Sequence, residues 1–529
     1  MSAIGQRAGW ALGPVHPAVF ERRMTDALVA GLTALVPAGL ALAITVGFPT
    51  IGLPVALGII VGAVGLFALV LCSRLELSVT MILVYLLLID GPVKMLTSQR
   101  EETRLLADVV IIAVCAGAAM RIIVRRERVV LPPLSGWVIA WVALVVVNAF
   151  NPKTQGVLAI LGGFSQQLQF VPFFFFGFAL MRSKRRFRQL FIIAGVAATA
   201  SGLVAAYQTT LTPDQLASWG PGYQLLIHPE KGTGRVYFSE GEARVRPPGL
   251  GTEAGSSGGL GHVALPMCLA LVAIARGRKK WIAALLALGS MMAVVVGLGR
   301  LQLIGAALGV VAFTGLAALA GRHFSRTMGA LLTIVVLAIP AGALVISSLH
   351  SGTFKRYESI NGSSQTTLHK ENAYSKVPGY VAASPLGYGL GNSGAVSNLG
   401  GSKNTDLLEG HGLTSETEYN VLVKELGAPG LILWPLIAIY VSLLIVRRIR
   451  SIRDPELAVC LAGALASFLP LIIEGSSGFI SGSLAGGAYY WFAVGVAAYW
   501  LVGRKGEVPS RVEVPSTVRG GPDASAAAA

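Results

Sequence analysis

The sequence predicts an all-α polytopic integral membrane protein with about 14 transmembrane helices and two long extracytoplasmic loops. Three observations predict this fold class. The 529 residues are 54% hydrophobic and only 13% charged, whereas soluble domains carry about 25% charged residues. Long apolar runs recur along the chain, and its basic residues form short clusters between them. We therefore interpret the net charge of +16 as a topology signal, and we expect no nucleic-acid partner.

The individual spans follow from a search for about 17–25 predominantly apolar residues between polar breaks, the length that crosses a bilayer. Seven candidates precede the first long loop: Leu28–Phe48, Ile51–Cys72, Leu77–Ile89, Leu105–Val124, Gly136–Ala149, Val157–Met181 and Leu190–Leu211. Seven more follow it: Leu260–Ala275, Trp281–Leu298, Leu301–Ala320, Met328–Leu349, Gly430–Val446, Leu457–Ile473 and Leu484–Val502. The third and fifth candidates are short for a membrane span.

The basic clusters predict the orientation of these spans. With about 14 spans, every cluster falls on one face, which the positive-inside rule makes cytoplasmic. The clusters lie at 125–128, 184–188, 276–280, 322–326, 447–453 and 504–505. We therefore expect a multi-pass protein of the cytoplasmic (inner) membrane, in contact with membrane lipids and with both termini cytoplasmic.

The predicted organisation alternates spans with two long loops. A cytoplasmic segment (1–27) precedes the N-terminal spans (28–211), an extracytoplasmic loop (212–259) and the central spans (260–349). A large extracytoplasmic loop (350–429), the C-terminal spans (430–503) and a disordered cytoplasmic tail (504–529) complete the chain. Loops of this length are usually functional. We expect no cleaved signal peptide, and we interpret the four cysteines as buried apolar residues.

The end of the large loop carries carboxylates next to a span, in the sequence HGLTSETEYNVLVKELGAPG (411–430). If its last turns are helical, Glu416, Tyr419 and Asn420 share one face, and Glu418 lies on another. A carboxylate on a short helix at a membrane surface is placed to act on a lipid-attached substrate. The alternative interpretation is that these acidic residues favour and solvate the start of a helix.

Arginines form two further candidate sites. Arg300, in VVVGLGRLQLIG, lies where the outer end of one span turns into the next. Arg244 and Arg246, in EARVRPPGLGTEAG, lie just before the eighth predicted span, Leu260–Ala275. A guanidinium group binds two phosphate oxygens at once, so these residues suit a lipid diphosphate. The alternative for Arg300 is that its side chain snorkels to the outer headgroups.

Other features predict no cofactor. The sequence GYGLGNSG (387–394) is rich in glycine, but no strand precedes it and no helix follows it, so it does not indicate a dinucleotide site. We find no Walker A motif and no metal-spaced His/Cys cluster, and we predict no metal site. We interpret ionisable residues at the span ends as packing or capping residues: Asp108, Glu253, His262 and Glu474.

Several motifs, in this order, resemble the O-antigen ligase and O-antigen polymerase superfamily of bacterial cell-envelope glycan enzymes. They are RVRPPGLGTEAGSSGGLGHVALPM, GLGRLQLIG, SETEYNVLVKELGAPGLIL and GGAYYWFAVG. The third contains the signature Glu425, Leu426 and Gly427, and a glycine precedes Arg300 where the family usually has serine. The resemblance covers the chain from about Leu77 to Val502.

The resemblance implies a metal-independent glycosyltransferase whose donor is a polyprenyl-diphosphate-linked glycan. Glu416 would act as general base, and Arg246 and Arg300 would bind the diphosphate. Arg244, His411, Glu418, Tyr419 and Asn420 would contact the substrate. The acceptor would be a glycan or lipid-glycan, and other polysaccharide-export proteins are possible partners. Ligases carry a catalytic histidine at the position of Glu416, and this departure favours an O-antigen, capsule or exopolysaccharide polymerase.

Two other classes of protein remain open at this point. A lipid-linked glycan flippase, or another multi-span transporter, can have a similar number of spans, but it should show two similar halves around a central cavity. We find no internal repeat, and both long loops fall between the seventh and twelfth predicted spans. A structural or regulatory membrane protein would explain the hydropathy, but not Arg300 together with the loops.

Overall fold

The computed structural model describes residues 75–96, 101–125, 131–154, 156–228, 236–239, 242–320, 377–393, 417–476, 478, 480 and 483–503, with residues 329 and 357 between them. These residues are mostly helical, as predicted. Seven helices among them are long and apolar enough to cross a membrane: Gly156–Leu180, Lys184–Gln208, Ser256–Ile274, Arg278–Val296, Arg300–Leu319, Glu418–Ser451 and Pro455–Glu474. The predicted spans Leu28–Phe48 and Ile51–Cys72 lie outside the described residues, as does Met328–Leu349 except for Gly329.

The first group of elements runs to the end of the first long loop. It contains α1 (Leu75–Leu88), α2 (Asp90–Leu96), α3 (Glu101–Arg125), α4 (Ser135–Ala149), α5 (Gly156–Leu168), α6 (Phe173–Leu180), α7 (Lys184–Gln208), α8 (Pro213–Ala217), α9 (Pro221–Ile227), β1 (Val236–Ser239) and β2 (Glu242–Val245). The helices α1 and α4, which correspond to the short third and fifth predicted spans, have 14 and 15 residues.

The second group contains the central and C-terminal helices. It contains α10 (Ser256–Ile274), α11 (Arg278–Val296), α12 (Arg300–Leu319), α13 (Val377–Ala383), α14 (Glu418–Arg448), α15 (Pro455–Leu465), α16 (Leu471–Glu474) and α17 (Tyr489–Ala497). A 3-10 turn (Ala466–Phe468) separates α15 from α16, and π-helical turns flank α17 at Leu484–Ala488 and Ala498–Gly503.

The helices α7, α10 and α11 form the centre of the bundle, and small residues let them approach closely. A Cβ on Gly202 of α7 would lie 2.9 Å from the Ala293 Cβ of α11. A Cβ on Gly261 of α10 would lie 2.6 Å from the Ser290 carbonyl oxygen of α11. Contacts of this kind are typical of helix pairs in membranes, where packing rather than the hydrophobic effect drives association.

The bundle has two distinct ends, defined by contacts between helix termini. At one end, which we call the basic end, Lys184 at the start of α7 forms an ion pair of 2.7 Å with Asp454, just before α15. Arg188 pairs with Glu456 at the same place. The other end, which we call the site end, contains the end of α7 and the start of α12, where Gln208 and Arg300 lie.

One part of the first long loop departs from the all-α prediction. β1 and β2 form a two-stranded antiparallel hairpin in which Tyr237 pairs with Arg244. Val245 of this hairpin packs with Leu216, Tyr223 and Met95 in a small apolar cluster separate from the main core. The described part of the loop is therefore folded against α2. The sequence did not predict this, because each element of the loop buries only a few apolar residues.

Candidate functional site at the arginine-bearing end of the bundle

Arg300 is the first residue of α12, at the site end. The turn before it contains Leu298 with φ of 53°, and Leu298 is 0% exposed. A bulky residue rarely adopts a positive φ, so the surrounding packing must hold this turn in place. The turn therefore fixes where α12 begins and where the Arg300 side chain is attached.

Arg246 follows β2 and lies beside the same turn. Its Nη2 atom is 3.1 Å from the point that a Cβ on Gly255 would occupy, and the Gly297 carbonyl oxygen is 3.2 Å from that point. Gly255 precedes α10 with φ of 83°, so it is both conformationally restricted and closely packed. The guanidinium group of Arg246 and the turn that leads to Arg300 therefore both lie close to the start of α10. Arg244, two residues earlier, is part of β2.

The local field at this end favours anions. α10 and α12 both begin here, and neither has an acidic residue in its first turn or a side-chain cap. The N-terminus of a helix carries a partial positive charge and presents unbonded N–H groups. An arginine at such a position adds its positive charge to that of the helix N-terminus, so an anion bound there would be stabilised by both.

The end of the large loop forms the start of α14, as the sequence predicts. Thr417 caps this helix by accepting a hydrogen bond from the Asn420 amide, so the helix begins at Glu418. Glu418 is 0% exposed, and its Oε2 accepts a hydrogen bond of 2.9 Å from the Ile480 amide. Its carboxylate is therefore engaged by the protein. The proposed base Glu416 lies outside the described residues.

The other predicted substrate contacts of this region are also placed. The Tyr419 hydroxyl donates a hydrogen bond of 2.7 Å to the Ile472 carbonyl, and Asn420 is buried. His411 lies outside the described residues. At the start of α14, Glu418 and Asn420 are therefore buried, and Tyr419 is hydrogen-bonded to the protein backbone.

A connecting segment joins the start of α14 to the start of α12. It follows α16, and the Glu418 amide donates to its Gly475 and Gly478 carbonyls at 3.1 and 3.0 Å. A Cβ on Gly478 would lie 2.9 Å from Cδ2 of Leu301, the second residue of α12. The structure therefore brings both the chain around Glu418 and the chain around Arg300 into contact with this segment, which is described at residues 475, 476, 478 and 480.

Glu425 is completely buried and joins three parts of the chain. Its carboxylate accepts hydrogen bonds from Gln166 Nε2 at 3.1 Å, Gln167 Nε2 at 2.8 Å and the Gly391 amide at 3.1 Å. Two of these donors come from α5, and the third comes from the glycine-rich sequence of the large loop. Only the resemblance singled out Glu425 from the sequence, because its partners are 34 or more residues away.

The glycine-rich sequence, whose residues 387–393 we call the glycine loop, has a packing role that sequence analysis missed. Gly387, Gly389 and Gly391 have φ of 79°, 87° and 72°. A Cβ on Gly387 would meet the Glu425 carbonyl oxygen, and one on Gly391 would overlap the Ala159 carbonyl oxygen. The loop therefore needs glycine both for its backbone angles and for its contact with α5 and α14.

A buried pair of a histidine and a glutamate lies just inside the site end. Nε2 of His262, on α10, is 3.2 Å from Oε2 of Glu474, the last residue of α16. Both side chains are almost fully buried. Sequence analysis interpreted each as an ordinary packing or capping residue, because nothing in the sequence links two residues so far apart.

Within the described ranges, no group of three or more His, Cys, Asp or Glu side chains could hold a metal ion. No protein-family model matches the chain, and no curated protein matches its sequence. The resemblance to O-antigen ligases and polymerases therefore stays a prediction from the motifs. What the structure adds is the geometry of the arginine-bearing end of a helical bundle with seven candidate membrane spans.

Proposed function

We propose that this protein is a membrane glycosyltransferase of the O-antigen polymerase and ligase type. It polymerises or ligates polyprenyl-diphosphate-linked oligosaccharide units on the outer face of the cytoplasmic membrane. The donor is a glycan on a polyprenyl diphosphate, and the acceptor is a glycan or lipid-glycan.

The observation that carries this proposal is the position of Arg246 and Arg300. Arg246 packs beside the turn at Gly297, and Arg300 begins α12 three residues later. With the starts of α10 and α12, these guanidinium groups provide positive charge and N–H donors at one end of the bundle. A diphosphate has several oxygens and a double negative charge, so it matches this arrangement better than a neutral ligand does.

The proposed reaction is a substitution at the anomeric carbon of the donor sugar. An acceptor hydroxyl oxygen forms the new bond to this carbon, while the bond to the diphosphate oxygen breaks and its electron pair leaves with the diphosphate. Glu416 takes the hydroxyl proton as general base. Arg246 and Arg300 stabilise the negative charge that grows on the leaving group. In this scheme Glu416 accepts the hydroxyl proton, and the two arginines balance the charge on the leaving diphosphate.

The remaining predicted residues support the reacting groups in this proposal. Arg244, two residues before Arg246, extends the positive charge toward the first loop. Tyr419 and Asn420 fix the start of α14, immediately after the Glu416 segment. His411 is the second candidate for the base. Membrane lipids surround the spans, and other polysaccharide-export proteins would receive the polymer.

The test is transfer activity of the purified protein with a polyprenyl-diphosphate oligosaccharide as donor. Arg300→Ala and Arg246→Ala should each lower the rate by about 100-fold or more, the typical effect of removing a group that stabilises transition-state charge. Arg300→Lys should recover little, because an ammonium group lacks the two-point geometry. Arg278→Ala, at the start of α11, is the matched control and should keep its activity.

Two results would contradict the proposal. Full activity in Arg300→Ala would show that this side chain only snorkels to headgroups. Absence of any longer or ligated product with wild-type protein, across donors of different repeat units, would remove the transferase assignment itself.

One observation favours the second candidate, a lipid-linked glycan flippase or other transporter. Lys94 and Asp90 of α2 form an ion pair of 2.7 Å, and Asp108 of α3 accepts a hydrogen bond of 2.6 Å from Ser165 of α5. Ionisable residues inside a membrane bundle often mark ion or proton pathways of transporters. A flippase would move a fluorescent lipid-linked glycan across proteoliposomes without lengthening it. Asp108→Asn should stop that movement if this candidate is correct.

A further inference from the structure

The buried pair of His262 and Glu474 has no role in the reaction proposed above. It joins α10 to the end of α16, with a distance of 3.2 Å between Nε2 and Oε2. The His262 side chain is 6% exposed and that of Glu474 is 7% exposed. The backbone at His262 is also held in place, because the Ser467 hydroxyl donates a hydrogen bond of 3.2 Å to the His262 carbonyl.

A third helix packs directly on this pair. A Cβ on Gly305 of α12 would overlap Oε1 of Glu474 and would lie 3.4 Å from Cδ2 of His262. The Glu474 carboxylate therefore lies against the bare backbone of α12 at this position. Gly305 is five residues after Arg300, which is about 7.5 Å along a helix axis. The pair thus contacts the helix that carries Arg300 about one and a half turns below it.

Glu474 is also the last residue before the connecting segment. The next residue, Gly475, accepts a hydrogen bond from the Glu418 amide at 3.1 Å. Gly478, in the same segment, packs against Leu301 at the start of α12. Glu474 therefore lies at the start of the segment that contacts both Glu418 and the first turn of α12.

Stability alone does not account for a buried pair of this kind. Removing two ionisable groups from water costs several kcal/mol per ion, and well-packed apolar residues are often as stable or more stable in their place. The cost is greater inside a membrane, where ionisable residues usually have a function. A close pair of polar side chains does restrict geometry, because a 3.2 Å contact between them limits the separation of the helices that carry them.

We propose that His262 and Glu474 are positioning residues, which hold the start of α12 and the connecting segment in the geometry that the transfer reaction needs. Through Gly305 the pair sets the depth and rotation of α12, and so the position of Arg300. Through Gly475 it sets the segment on which Glu418 and the start of α14 rest. This inference rests on the proposed function, but its geometric part can be tested without it.

The first experiment separates binding from turnover in the purified transfer assay. A side chain misplaced by about 1 Å can cost about 100-fold in rate. Glu474→Gln, His262→Gln and Gly305→Ala should each lower kcat by about 10- to 100-fold, with a smaller change in the donor KM. Glu474→Asp should recover part of the loss, since it keeps the charge but shortens the reach.

Gly315 provides the matched control for Gly305. Both lie on α12, but a Cβ on Gly315 would meet nothing within 4 Å. Gly315→Ala should therefore keep wild-type kcat and KM. Equal activity of Gly305→Ala and Gly315→Ala, together with wild-type kcat in Glu474→Gln, would overturn the proposal.

The second experiment measures position directly and needs no activity. Cysteines replace Leu301 and Gly478, which are in contact, in a chain whose native cysteines are changed to alanine: Cys72, Cys115, Cys268 and Cys460. A short thiol cross-linker should join the two positions rapidly. Adding Glu474→Gln should slow this cross-linking by about tenfold or more, whereas adding Gly315→Ala should not change it.

The two experiments distinguish failure of the inference from failure of the proposed function. If wild-type protein transfers no glycan, slower cross-linking in Glu474→Gln still supports the positioning role, and an unchanged rate overturns it. If the protein is active, unchanged kcat and unchanged cross-linking together overturn the inference while leaving the transferase intact.

Discussion

The two ends of the helical bundle both carry basic residues, but they use them differently. At the basic end, Lys184 and Arg188 pair with Asp454 and Glu456, and the side chains of Lys184 and Arg188 are 41% and 49% exposed. At the site end, Arg300 begins a helix whose first turn has no acidic residue. The basic side chains thus face carboxylates at the basic end, whereas at the site end Arg300 stands at a helix N-terminus.

This difference teaches that the number of basic residues does not predict their role. A cluster of exposed, paired cations satisfies the requirements of topology and of docking between helices. Cations placed against glycine backbone, at the positive ends of helices, create a local field that an anion would relieve. We therefore expect substitutions at the site end to affect activity and stability strongly, and substitutions at the basic end to be tolerated.

The largest expected effect is on catalysis at the site end. If Glu416 is the general base, Glu416→Gln should lower the transfer rate by about 100- to 10,000-fold, since an amide cannot accept the proton. Glu418→Gln should keep most of its activity, because its oxygen can still accept the Ile480 amide bond. The measurement is turnover of purified protein with a lipid-diphosphate donor.

The histidine of the same loop is the control for that assignment. His411→Ala should remain active, and Glu416→His, which restores the residue found in ligases, should retain some activity. An inactive His411→Ala beside an active Glu416→Gln would move the base to the histidine and shift the alignment of the loop by five residues.

The next effect is on stability, at Glu425. Glu425→Leu leaves the Gln166 and Gln167 amide groups and the Gly391 amide without their acceptor in a buried site. Buried donors without an acceptor cost about 1–3 kcal/mol each, so unfolding should become easier by about 3 kcal/mol or more. Thermal unfolding in detergent measures this. Glu456→Gln at the basic end should shift the midpoint far less, and equal shifts would remove the contrast between the two ends.

A smaller effect is expected in the glycine loop. Gly391 and Gly156 have nearly the same φ, 72° and 76°, but a Cβ on Gly156 would meet nothing within 4 Å. Gly156→Ala should cost only the left-handed backbone penalty of about 1–2 kcal/mol. Gly391→Ala should cost more, because its Cβ also overlaps the Ala159 carbonyl oxygen. Equal unfolding midpoints for the two variants would show that the loop does not pack as described.

The smallest effect belongs to the basic end. Asp454→Asn should lower stability by about 1 kcal/mol or less, the usual value for a partly exposed ion pair. Burial raises the pKa of Asp454, but the hydrogen bond from Lys184 and the amides of Leu457 and Glu456 outweigh it, so its pKa lies below the ordinary value. A depressed pKa means that the contribution is present above about pH 4 and is lost as the pH falls.

A titration of stability against pH checks the sign of this last effect. The difference in unfolding midpoint between wild type and Asp454→Asn should shrink as the pH drops below about 4. A difference that grows on acidification would show that the carboxylate is not stabilised by its partners in the folded protein.

The sequence predicted the long apolar helices well, because hydropathy is a local property. The predicted span Trp281–Leu298 corresponds to Arg278–Val296, and Leu301–Ala320 corresponds to Arg300–Leu319. It also singled out Arg246 and Arg300, since an arginine at a span end is costly and easy to notice. The predicted span Val157–Met181 corresponds to the candidate membrane helix Gly156–Leu180, within which a turn before Phe173 separates α5 from α6.

What the sequence could not predict depends on contacts between distant residues. The pair of His262 and Glu474, and the acceptor role of Glu425, exist only because separate helices meet. The hairpin Val236–Val245 has strands of four residues, too short for a clear alternating pattern. The sequence of the glycine loop does not fit a phosphate site, because no strand precedes it and no helix follows it. Its packing role depends on its contacts with Ala159 and Glu425, which the sequence does not show.

The break in α14 has a consequence for the depth at which the site lies. Gly427 has φ of 66° inside this helix of 31 residues, and the Ala428 amide after the break donates to the Pro385 carbonyl at 2.8 Å. At 1.5 Å per residue the whole element would be about 46 Å long, well beyond a hydrocarbon core of about 30 Å. The part after Gly427 is about 31 Å long and matches that thickness by itself. If that part spans the hydrocarbon core, the start of α14 lies at the level of the headgroups, and the lipid donor of the proposed reaction would reach it by lateral diffusion within one leaflet.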